Sequence, residues 1–271
     1  MLTFAFWNLK RKPLEALVAA LAAQYDVDVL VLTECAISPA TLLMCLNTDG
    51  LAQYHYAPGI GCEKIEIYAR FPDDYIRPIS ESDRLTIRHV TLPGLTDILL
   101  AAVHFPSKMH WNEASQALEC TELARIIREG ESQVAHHRTI LVGDLNMNPF
   151  EDGIVGAAGL HGTMSRRIAE RRSRTIYGTE YPFFYNPMWR LLGDGRKGPP
   201  GTFYYSGSEQ RVFFWNMFDQ VLVRPDLLPG FDAEGVEIVT NVGATSLLSV
   251  KGLPNAKEAS DHLPLVFRLD M

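Results

Sequence analysis

The sequence predicts an α/β protein, and its amino-terminal segment gives the main evidence. Apolar residues at 2–7 and 27–32 predict two strands, and the helical spacing of apolar residues over 14–25 predicts a helix between them. The run at 27–32 is continuously aliphatic, as expected of a strand that is buried on both faces. With 271 residues, of which 47% are hydrophobic, the chain is long enough and apolar enough for a sizeable core.

The rest of the chain continues this pattern of alternating elements. Further helices are predicted over residues 39–46 and 112–129, and further strands over 63–70, 85–92, 97–104, 139–142, 212–223, 236–240 and 263–269. Residues 72–83 are predicted to be a charged loop or a hairpin. Residues 177–205, rich in aromatic residues, proline and glycine, are predicted to be a long ordered loop that shapes a binding site. No repeat or linker divides the chain, so we expect one domain over residues 1–271.

Composition limits the class of protein. The formal net charge of −7 and the pI near 5.6 argue against a surface that binds phosphate everywhere, although a cleft can be locally basic. The four cysteines show no CxxC spacing, which indicates neither a zinc site nor a disulfide framework. The amino terminus lacks the pattern of a secretory signal, and no apolar run approaches the roughly 20 residues of a membrane span. We therefore expect a cytoplasmic protein with reduced thiols and no transmembrane segment.

Residues 139–150 contain the most informative polar pattern. The apolar strand predicted at 139–142 is ended by Gly143, after which Asp144 and Asn146 project from the strand end. Residues two apart in an extended segment share a side, so this carboxylate and this amide can face one ligand. Asp and Asn are also common turn residues for backbone reasons alone, and this stretch by itself does not separate the two interpretations.

Other strand ends carry similar polar residues, and together they predict a metal site. Glu34 could instead be a helix cap or a surface residue, and His104 could be an ordinary buried histidine. Asp219, set in an otherwise apolar strand, needs a partner because a buried unpaired carboxylate is costly. Hard oxygen ligands favour Mg²⁺, with Mn²⁺ as a possible substitute, over zinc, and such a site suits phosphate-ester cleavage. The set is Asn8, Glu34, His104, Asp144, Asn146, Asp219, Asp261 and His262.

The basic residues of this acidic chain are concentrated in residues 165–174, which contain five arginines. A helix there would spread them over more than one face, so they could be a solvated surface or a phosphate-binding wall. We take Arg166, Arg167 and Arg171 as candidate substrate-binding residues. Most aromatic residues of the predicted loop are expected to pack it down, but Tyr204 could stack on a nucleic-acid base.

The chain resembles the endonuclease/exonuclease/phosphatase superfamily, which includes DNase I-like nucleases, abasic-site endonucleases, inositol polyphosphate 5-phosphatases and neutral sphingomyelinases. The matching segments occur in the family's order from residue 4 to 267: FAFWNL, VLVLTE, AAVHFPS, ILVGDLNMNP, MFDQVLV and SDHLPLVF. The resemblance implies a DNase I-like fold of four layers, in which two packed mixed β-sheets are flanked by helices and the site lies at one end of the sandwich.

The resemblance also implies roles for the polar residues. Glu34 would be the principal Mg²⁺ ligand, with Asn8 and Asp261 near the metal. Asp144 would orient or deprotonate the attacking water, although His262 is an alternative base, and Asn146 would hold the phosphate. Asp219 would hydrogen-bond His262, and His104 would contact the phosphate or protonate the leaving oxygen.

Three functions remain compatible with the sequence. The first is a metal-dependent nuclease that cleaves phosphodiester bonds in DNA or another nucleic acid. The second is a phosphatase or phosphodiesterase that acts on a small or lipid-linked phosphoester, of the inositol phosphate or sphingomyelinase type. The third, an inactive binding module on the same fold, is disfavoured because every expected acidic and histidine position is filled.

Overall fold

The structure is a computed structural model that describes residues 1–48, 53–108, 111–195 and 197–271. The α-helices in these ranges are α1 (Glu15–Gln24), α2 (Pro39–Leu46), α3 (Glu113–Val134), α4 (Asp152–Val155) and α5 (Arg166–Ala169). The strands are β1 (Leu2–Asn8), β2 (Val29–Thr33), β3 (His55–Ala57), β4 (Ile65–Ala69), β5 (Ile76–Ser82), β6 (Leu85–Val90), β7 (Ile98–His104), β8 (Thr139–Asp144), β9 (Gly162–Thr163), β10 (Ser173–Ile176), β11 (Thr179–Pro182), β12 (Phe184–Tyr185), β13 (Phe203–Tyr204), β14 (Trp215–Asn216), β15 (Asp219–Val223), β16 (Glu237–Ile238), β17 (Asn241–Val242), β18 (Thr245–Ser246) and β19 (Leu265–Leu269). Short 3₁₀ helices lie at Asp73–Tyr75, Pro187–Arg190 and Pro225–Gly230.

Within the described ranges, two large mixed sheets form the centre of the protein. The six-stranded sheet has the order β16-β19-β1-β2-β4-β3, and the seven-stranded sheet has the order β5-β6-β7-β8-β15-β12-β9. At the centre of each sheet two strands run parallel, β1 with β2 and β7 with β8, while their outer neighbours are antiparallel. The mixed sheets are those that the sequence resemblance implies.

The layers follow from the alternation of side chains along the strands of the seven-stranded sheet. On β7, Ile98 and Leu100 join the core shared with the six-stranded sheet, whereas Leu99 and Ala101 join a second core with helix α3. Successive side chains of a strand point to opposite faces, so β7 is buried between two layers. This explains why its sequence is continuously apolar, and it confirms the predicted sandwich with helices outside.

Helix α3 is longer than predicted and covers the outer face of the seven-stranded sheet. The predicted helix ends at residue 129, directly before Gly130, and glycine is a weak helix former. In the structure Gly130 is buried against Ile79, Ile87 and Leu99, and the helix continues to Val134. Packing against the sheet therefore overrides the local preference, and the helix ends at Ala135, whose φ of 57° is left-handed.

Other predicted elements differ in kind or extent. Residues 72–83, predicted to be a charged loop or a hairpin, contain the 3₁₀ helix Asp73–Tyr75 and strand β5, which is the first strand of a hairpin with β6. The predicted long loop over 177–205 contains β11, β12 and β13, so that prediction was wrong for these parts; residue 196 lies outside the described residues. Asp219 is the first residue of β15 rather than the middle of a strand, since the chain leaves the β13–β14 pair just before it. None of the described helices reaches the length and hydropathy of a membrane span.

Candidate active site

The polar strand ends predicted from the sequence meet at one end of the sandwich. Asn8 ends β1 and Glu34 directly follows the parallel strand β2. In the other sheet His104 and Asp144 are paired at the ends of β7 and β8, and Asp219 is paired with Asp144 at the start of β15. Parallel strands place their carboxyl ends at the same edge, and the two sheets are packed so that these edges adjoin.

Asn8 links the two sheets through its side-chain amide. Its Nδ2 donates to Asp144 Oδ2 at 3.1 Å and to Glu34 Oε1 at 3.4 Å, while its Oδ1 accepts the backbone N–H of Lys10 at 3.0 Å. The buried amide therefore turns its donors toward the carboxylates. Its oxygen accepts one hydrogen bond, which leaves a second lone pair. In this arrangement Asn8 connects the two carboxylates.

Asp219 and His262 form a buried pair. The Asp219 carboxylate accepts from His262 Nδ1 at 2.8 and 3.1 Å, which leaves Nε2 directed toward Asp144, with 3.9 Å between Nε2 and Asp144 Oδ2. Trp7 Nε1 donates to the His262 carbonyl at 2.9 Å, and the Phe203 ring lies 4.7 Å from the imidazole. The tautomer and orientation of His262 are thus fixed from several sides.

Burial and neighbouring charges shift the pKa values of these groups in different directions. Burial raises the pKa of Asp144 to about 7, with the charge of His262 opposing the rise. Burial opposes the cationic form of His262, but the charges of Asp219 and Asp144 outweigh it and raise its pKa to about 10. Burial lowers the pKa of His104 to about 4, against the charge of Glu34. The site therefore pairs one cationic histidine with one neutral histidine.

Residues 143–146 turn sharply to present Asp144 and Asn146. A Cβ on Gly143 would lie 1.9 Å from the carbonyl oxygen of Val103 on the adjacent strand, so only glycine fits there. Asp144 Oδ1 accepts the backbone N–H of Asn146 at 2.9 Å, and Asn146 Nδ2 donates to the Phe105 carbonyl at 2.9 Å. The side-chain amide of Asn146 is thereby held beside Asp144.

Left-handed backbone conformations are clustered at this site. Lys10, Arg11, Glu34 and Asn146 have φ values of 49°, 57°, 46° and 49°. Such conformations cost energy in residues other than glycine, and they persist where the surrounding structure enforces them. Of the ten non-glycine residues with such a φ in the described ranges, four therefore lie at or directly beside the site.

Beside the cluster lies an open cleft of about 810 Å³. Glu34 and His104 line its inner end, and a mixture of basic, acidic and apolar side chains lines the rest. The lining includes Arg11, Lys64, Arg84, Glu63, Glu66, Cys35, Phe105, Pro106 and Trp111. A charged substrate with an extended shape could therefore lie in this cleft with one bond beside Glu34 and His104.

Comparison with known families agrees with the geometry. The family model described as "Endonuclease/Exonuclease/phosphatase family" matches residues 5–262, which covers all of the strand ends just described. The chain belongs to this family. Members of the family are hydrolases that act on phosphoesters. No curated protein sequence is similar enough to be counted as a match.

Solved structures of family members share the fold over whole chains. An AP endonuclease from Archaeoglobus fulgidus is 18% identical, with a TM-score of 0.56 and 100% of both chains covered. A 3′ phosphatase, NExo, from Neisseria, bound to a product DNA hairpin, is 14% identical, with a TM-score of 0.57 and 100% of both chains covered. D. rerio TDP2 complexed with a single-strand DNA product is 18% identical, with a TM-score of 0.56 and 100% of this chain and 99% of that chain covered. At these identities the likeness shows the fold.

Within the family fold, the structure brings most of the predicted site residues together. Asn8, Glu34, His104 and Asp144 are connected by hydrogen bonds or contacts below 4 Å, and Asp219 and His262 join them through Asp144. Asp261 adjoins this group but forms an ion pair with Lys10. Asp144, Asp219 and His262 are a buried group whose ligand atoms lie close enough together to hold a metal ion. The individual roles implied by the family resemblance stay predictions.

The structure does not place the predicted substrate-binding arginines at this cluster. Arg166 donates to the carbonyls of Leu228 and Phe231, and Phe231 pairs with Leu269 beside the start of β1, at the opposite end of the sandwich. Arg171 lines a separate cavity near β9, and Arg167 is an exposed neighbour on the same segment. The sequence could not show where these arginines lie, because the position of their segment depends on contacts with residues that follow the carboxyl end of β15.

Tyr204, by contrast, lies near the site. It follows Phe203, which pairs with His262, and its ring packs edge-on against Trp215 with 5.5 Å between centroids. The ring is thus packed on its own hairpin while remaining partly exposed. A contact with substrate remains a prediction for this residue.

A second histidine–carboxylate group has the wrong hydrogen bonding for a metal site. Asp97 lies 2.9 Å from His89 Nε2 and 3.2 Å from His136 Nε2, and it also pairs with Arg138. His136 Nδ1 accepts the backbone N–H of Arg138 at 3.1 Å, so Nε2 carries the proton of the neutral ring. A metal ligand usually has the reverse arrangement, with the free ring nitrogen donating. This group is therefore a carboxylate surrounded by donors.

Several residues at the site were missed from the sequence. Ser260 donates from Oγ to the Asn8 carbonyl at 2.6 Å and accepts the His262 N–H at 3.1 Å, which joins the first and last strands at the site. Its position directly before Asp261-His262 was the available signal. Lys10 and Arg11 directly follow Asn8, and only the three-dimensional structure shows that they face the site and the cleft.

Proposed function

We propose that this protein hydrolyses phosphodiester bonds in nucleic acid with the help of a divalent metal ion, Mg²⁺ or Mn²⁺. The observation that carries the proposal is the convergence of Glu34, His104, Asp144 and the Asp219–His262 pair at one end of the sandwich. These groups come from both sheets and from the whole length of the chain. If each of these residues only formed a turn at the end of its own strand, there would be no reason for all of them to lie together.

The residues present fit a divalent cation. The carboxylates of Glu34 and Asp144 both lie within 4 Å of the same atom, His104 Nε2, and Asp144 is almost completely buried. A buried carboxylate needs a compensating charge, which is consistent with its raised pKa. Hard oxygen donors of this kind suit Mg²⁺ or Mn²⁺. We propose Glu34 as the principal ligand, with Asp261 and the Asn8 position nearby; the ion would polarise a phosphoryl oxygen.

Four residues of the chain would have the other roles in the proposed hydrolysis. Asp144 would accept a proton from the attacking water, because Asn146 N–H fixes one of its oxygens while the other faces the site. His262, kept cationic by Asp219, would stabilise negative charge that develops on the phosphate oxygens. Asn146 would donate its second amide hydrogen to the phosphate. His104, whose low pKa keeps it neutral, would donate a hydrogen bond toward the leaving oxygen rather than act as a cationic acid.

Nucleic acid is the substrate class that the cleft supports. Arg11, Lys64 and Arg84 are the cleft residues that would contact a phosphate backbone, beside the acidic Glu34, Glu63 and Glu66, and Trp111 offers an aromatic surface for a base. The solved structures that share this fold include a TDP2 complexed with a single-strand DNA product and a 3′ phosphatase bound to a product DNA hairpin. The phosphatase neighbour supports a second candidate, removal of a terminal phosphate by the same site.

An assay over several substrate classes tests the proposal. The purified chain would be incubated with plasmid, single-stranded DNA, RNA, a 3′-phosphorylated oligonucleotide, bis-p-nitrophenyl phosphate and inositol phosphates, with Mg²⁺ or Mn²⁺ and with an EDTA control. We expect cleavage of nucleic acid that EDTA abolishes and that Asp144→Asn, Glu34→Gln and His262→Gln each reduce by about two orders of magnitude or more. Wild-type rates in any two of these variants would contradict the assignment of these residues to the active site. Activity on inositol phosphates alone would show that the substrate is an inositol phosphate and not nucleic acid.

We also propose that the chain forms one domain and that the protein is cytoplasmic. One core, shared between the sheets, contains residues from Leu2 to Leu269, and the site draws on both halves of the chain, so we propose a single domain over residues 1–271.

All four cysteines lie in the described ranges and are free thiols. Free thiols, two of them buried, agree with a reducing compartment, and we propose a cytoplasmic location on that basis.

A further inference from the structure

A second concave site lies at the far edge of the seven-stranded sheet, away from the candidate active site. This cavity of about 400 Å³ is next to β9, the edge strand that is separated from β15 by β12. We call it the β9 cavity; its walls are formed by Val155, His161, Gly162, Thr163, Ile168, Arg171, Ser173, Arg174 and Phe183. Neither Glu34 nor His104 lines it, so it is separate from the cleft.

The backbone around the β9 cavity is shaped by two turns. After helix α5 the chain reverses at Arg172, whose φ is 71°, and enters the hairpin of β10 and β11. The hairpin turn is Tyr177-Gly178, with φ values of 48° and 82°, the pattern of a two-residue type I′ turn. The hairpin forms a two-stranded sheet of its own. Arg171, which precedes the hairpin, and Arg174, on β10, both line the cavity.

The arginines of residues 165–174 differ in what they contact. Arg166 is used by backbone carbonyls and Arg172 by an ion pair with Asp226. Arg171 and Arg174, the two that line the cavity, are exposed and form no ion pair with any carboxylate of the described residues. In a chain with an excess of seven negative charges, two guanidinium groups that line one cavity without a carboxylate partner among the described residues favour an external anion.

Polar and aromatic contacts within the chain fix the inner wall of the cavity. His161 donates from Nδ1 to the Tyr181 carbonyl at 3.1 Å, and its ring stacks on Phe183 with 4.1 Å between centroids. Burial and the charge of Arg174 lower the pKa of His161. Glu180 of the hairpin accepts from the hydroxyl of the wall residue Ser173 and keeps its negative charge beside the cavity. The wall residues themselves carry two guanidinium groups and no carboxylate, and the inner wall is firmly positioned.

We propose that the β9 cavity binds a phosphate group through Arg171 and Arg174. Planar guanidinium groups bind phosphate oxygens in a bidentate manner, and two of them on one rim suit a single dianionic or bridging phosphate. The phosphate could belong to a nucleic-acid backbone or to a free nucleotide. The exposed Arg167, next to the wall residue Ile168, continues the positive charge beyond the cavity, which fits a chain of phosphates. The site does not depend on the proposed catalytic function.

The test measures binding in EDTA, so that cleavage does not interfere. Fluorescence anisotropy would follow a labelled single-stranded oligonucleotide. Protein NMR would follow the guanidinium Nε–H signals of Arg171 and Arg174 during separate titrations with inorganic phosphate, with AMP and with the oligonucleotide. The variant is Arg171→Ala/Arg174→Ala. The matched control is Arg77→Ala/Arg125→Ala, which removes two other exposed arginines and changes the net charge equally.

Each outcome decides the proposal. If a backbone phosphate is bound, the variant weakens oligonucleotide binding by roughly tenfold and lowers the slope of log Kd against log salt by about 1 to 2, while the control does neither. If a free phosphate or nucleotide is bound, AMP or phosphate shifts the two arginine signals while oligonucleotide affinity is equal in variant and control. The proposal is overturned if the arginine signals do not move with any of the three probes.

Discussion

Asp144 and Asp219 lie directly opposite each other in the antiparallel ladder of β8 and β15, and their carboxylates lie on either side of the His262 imidazole. Asp219 accepts from Nδ1 at 2.8 Å, and Asp144 lies 3.9 Å from Nε2. Two buried carboxylates so close together require a cation between or beside them. His262 supplies one such charge, which explains how the ladder tolerates both acids in its interior.

Replacing Asp219 with asparagine should therefore affect catalysis more than folding. The substitution would remove the charge that keeps His262 cationic and would permit the wrong tautomer. We expect kcat for phosphodiester cleavage to fall by about 10²- to 10⁴-fold, with the free energy of unfolding changed far less than catalysis. Steady-state kinetics and urea unfolding on the same preparation measure both quantities.

The control for Asp219→Asn is Asp226→Asn, which removes a carboxylate seven residues away that pairs with Arg172 at the other end of β15. We expect near-wild-type kcat for this control. Equal losses in the two variants would mean that the charge of Asp219 has no specific role.

Removal of the metal ion should abolish activity, and the Glu34 carboxylate should govern its return. After treatment with EDTA, excess Mg²⁺ or Mn²⁺ should restore cleavage. Glu34→Gln should raise the metal concentration for half-maximal activity by about tenfold or more, because a charged oxygen ligand is lost. The matched control is Glu63→Gln, which removes another carboxylate from the same cleft. A similar metal requirement in both variants would show that Glu34 is not a ligand.

The sequence predicts the site well where a residue ends a central strand. Asn8, His104 and Asp144 could be assigned because parallel apolar strands place their ends at one edge, whatever the loops do. The sequence could not place Arg166 or Arg171, because their segment has few apolar residues and its position depends on pairing with distant elements. The same applies to β11–β13, whose short strands are formed by long-range contacts rather than by a local pattern.

Gly143 should be required for both stability and the position of Asp144. A methyl group there would overlap the Val103 carbonyl, so β7 and β8 would have to move apart at the site. We expect Gly143→Ala to lower the free energy of unfolding by about 3 kcal/mol and to reduce kcat. Gly195→Ala is the control, since a Cβ at that residue meets no atom of the described residues beyond its chain neighbours within 4 Å. Urea unfolding should show a change within about 0.5 kcal/mol for the control.

The group formed by His89, Asp97 and His136 should make the free energy of unfolding fall in mild acid. Burial and the charge of Arg138 lower the pKa of His136 in the folded protein. In the unfolded chain, histidine has its ordinary pKa of about 6.5. Below that pH the unfolded chain therefore binds a proton at His136 more readily than the folded protein does. The groups around His136 are Asp97, His89 and Arg138, and of these Asp97 opposes the shift.

The sign of this effect can be measured. Because the folded pKa of His136 is depressed, its stabilising contribution is complete above about pH 6.5 and is lost as the pH falls from there toward the folded value, by at most about 1.4 kcal/mol per pH unit. His136→Gln should therefore lose less stability than wild type between about pH 7.5 and about pH 5.5 in urea unfolding. The control His137→Gln replaces the neighbouring, more exposed histidine and should keep the wild-type dependence. If His136→Gln and wild type lose the same stability over this range, the buried imidazole is not the group that titrates.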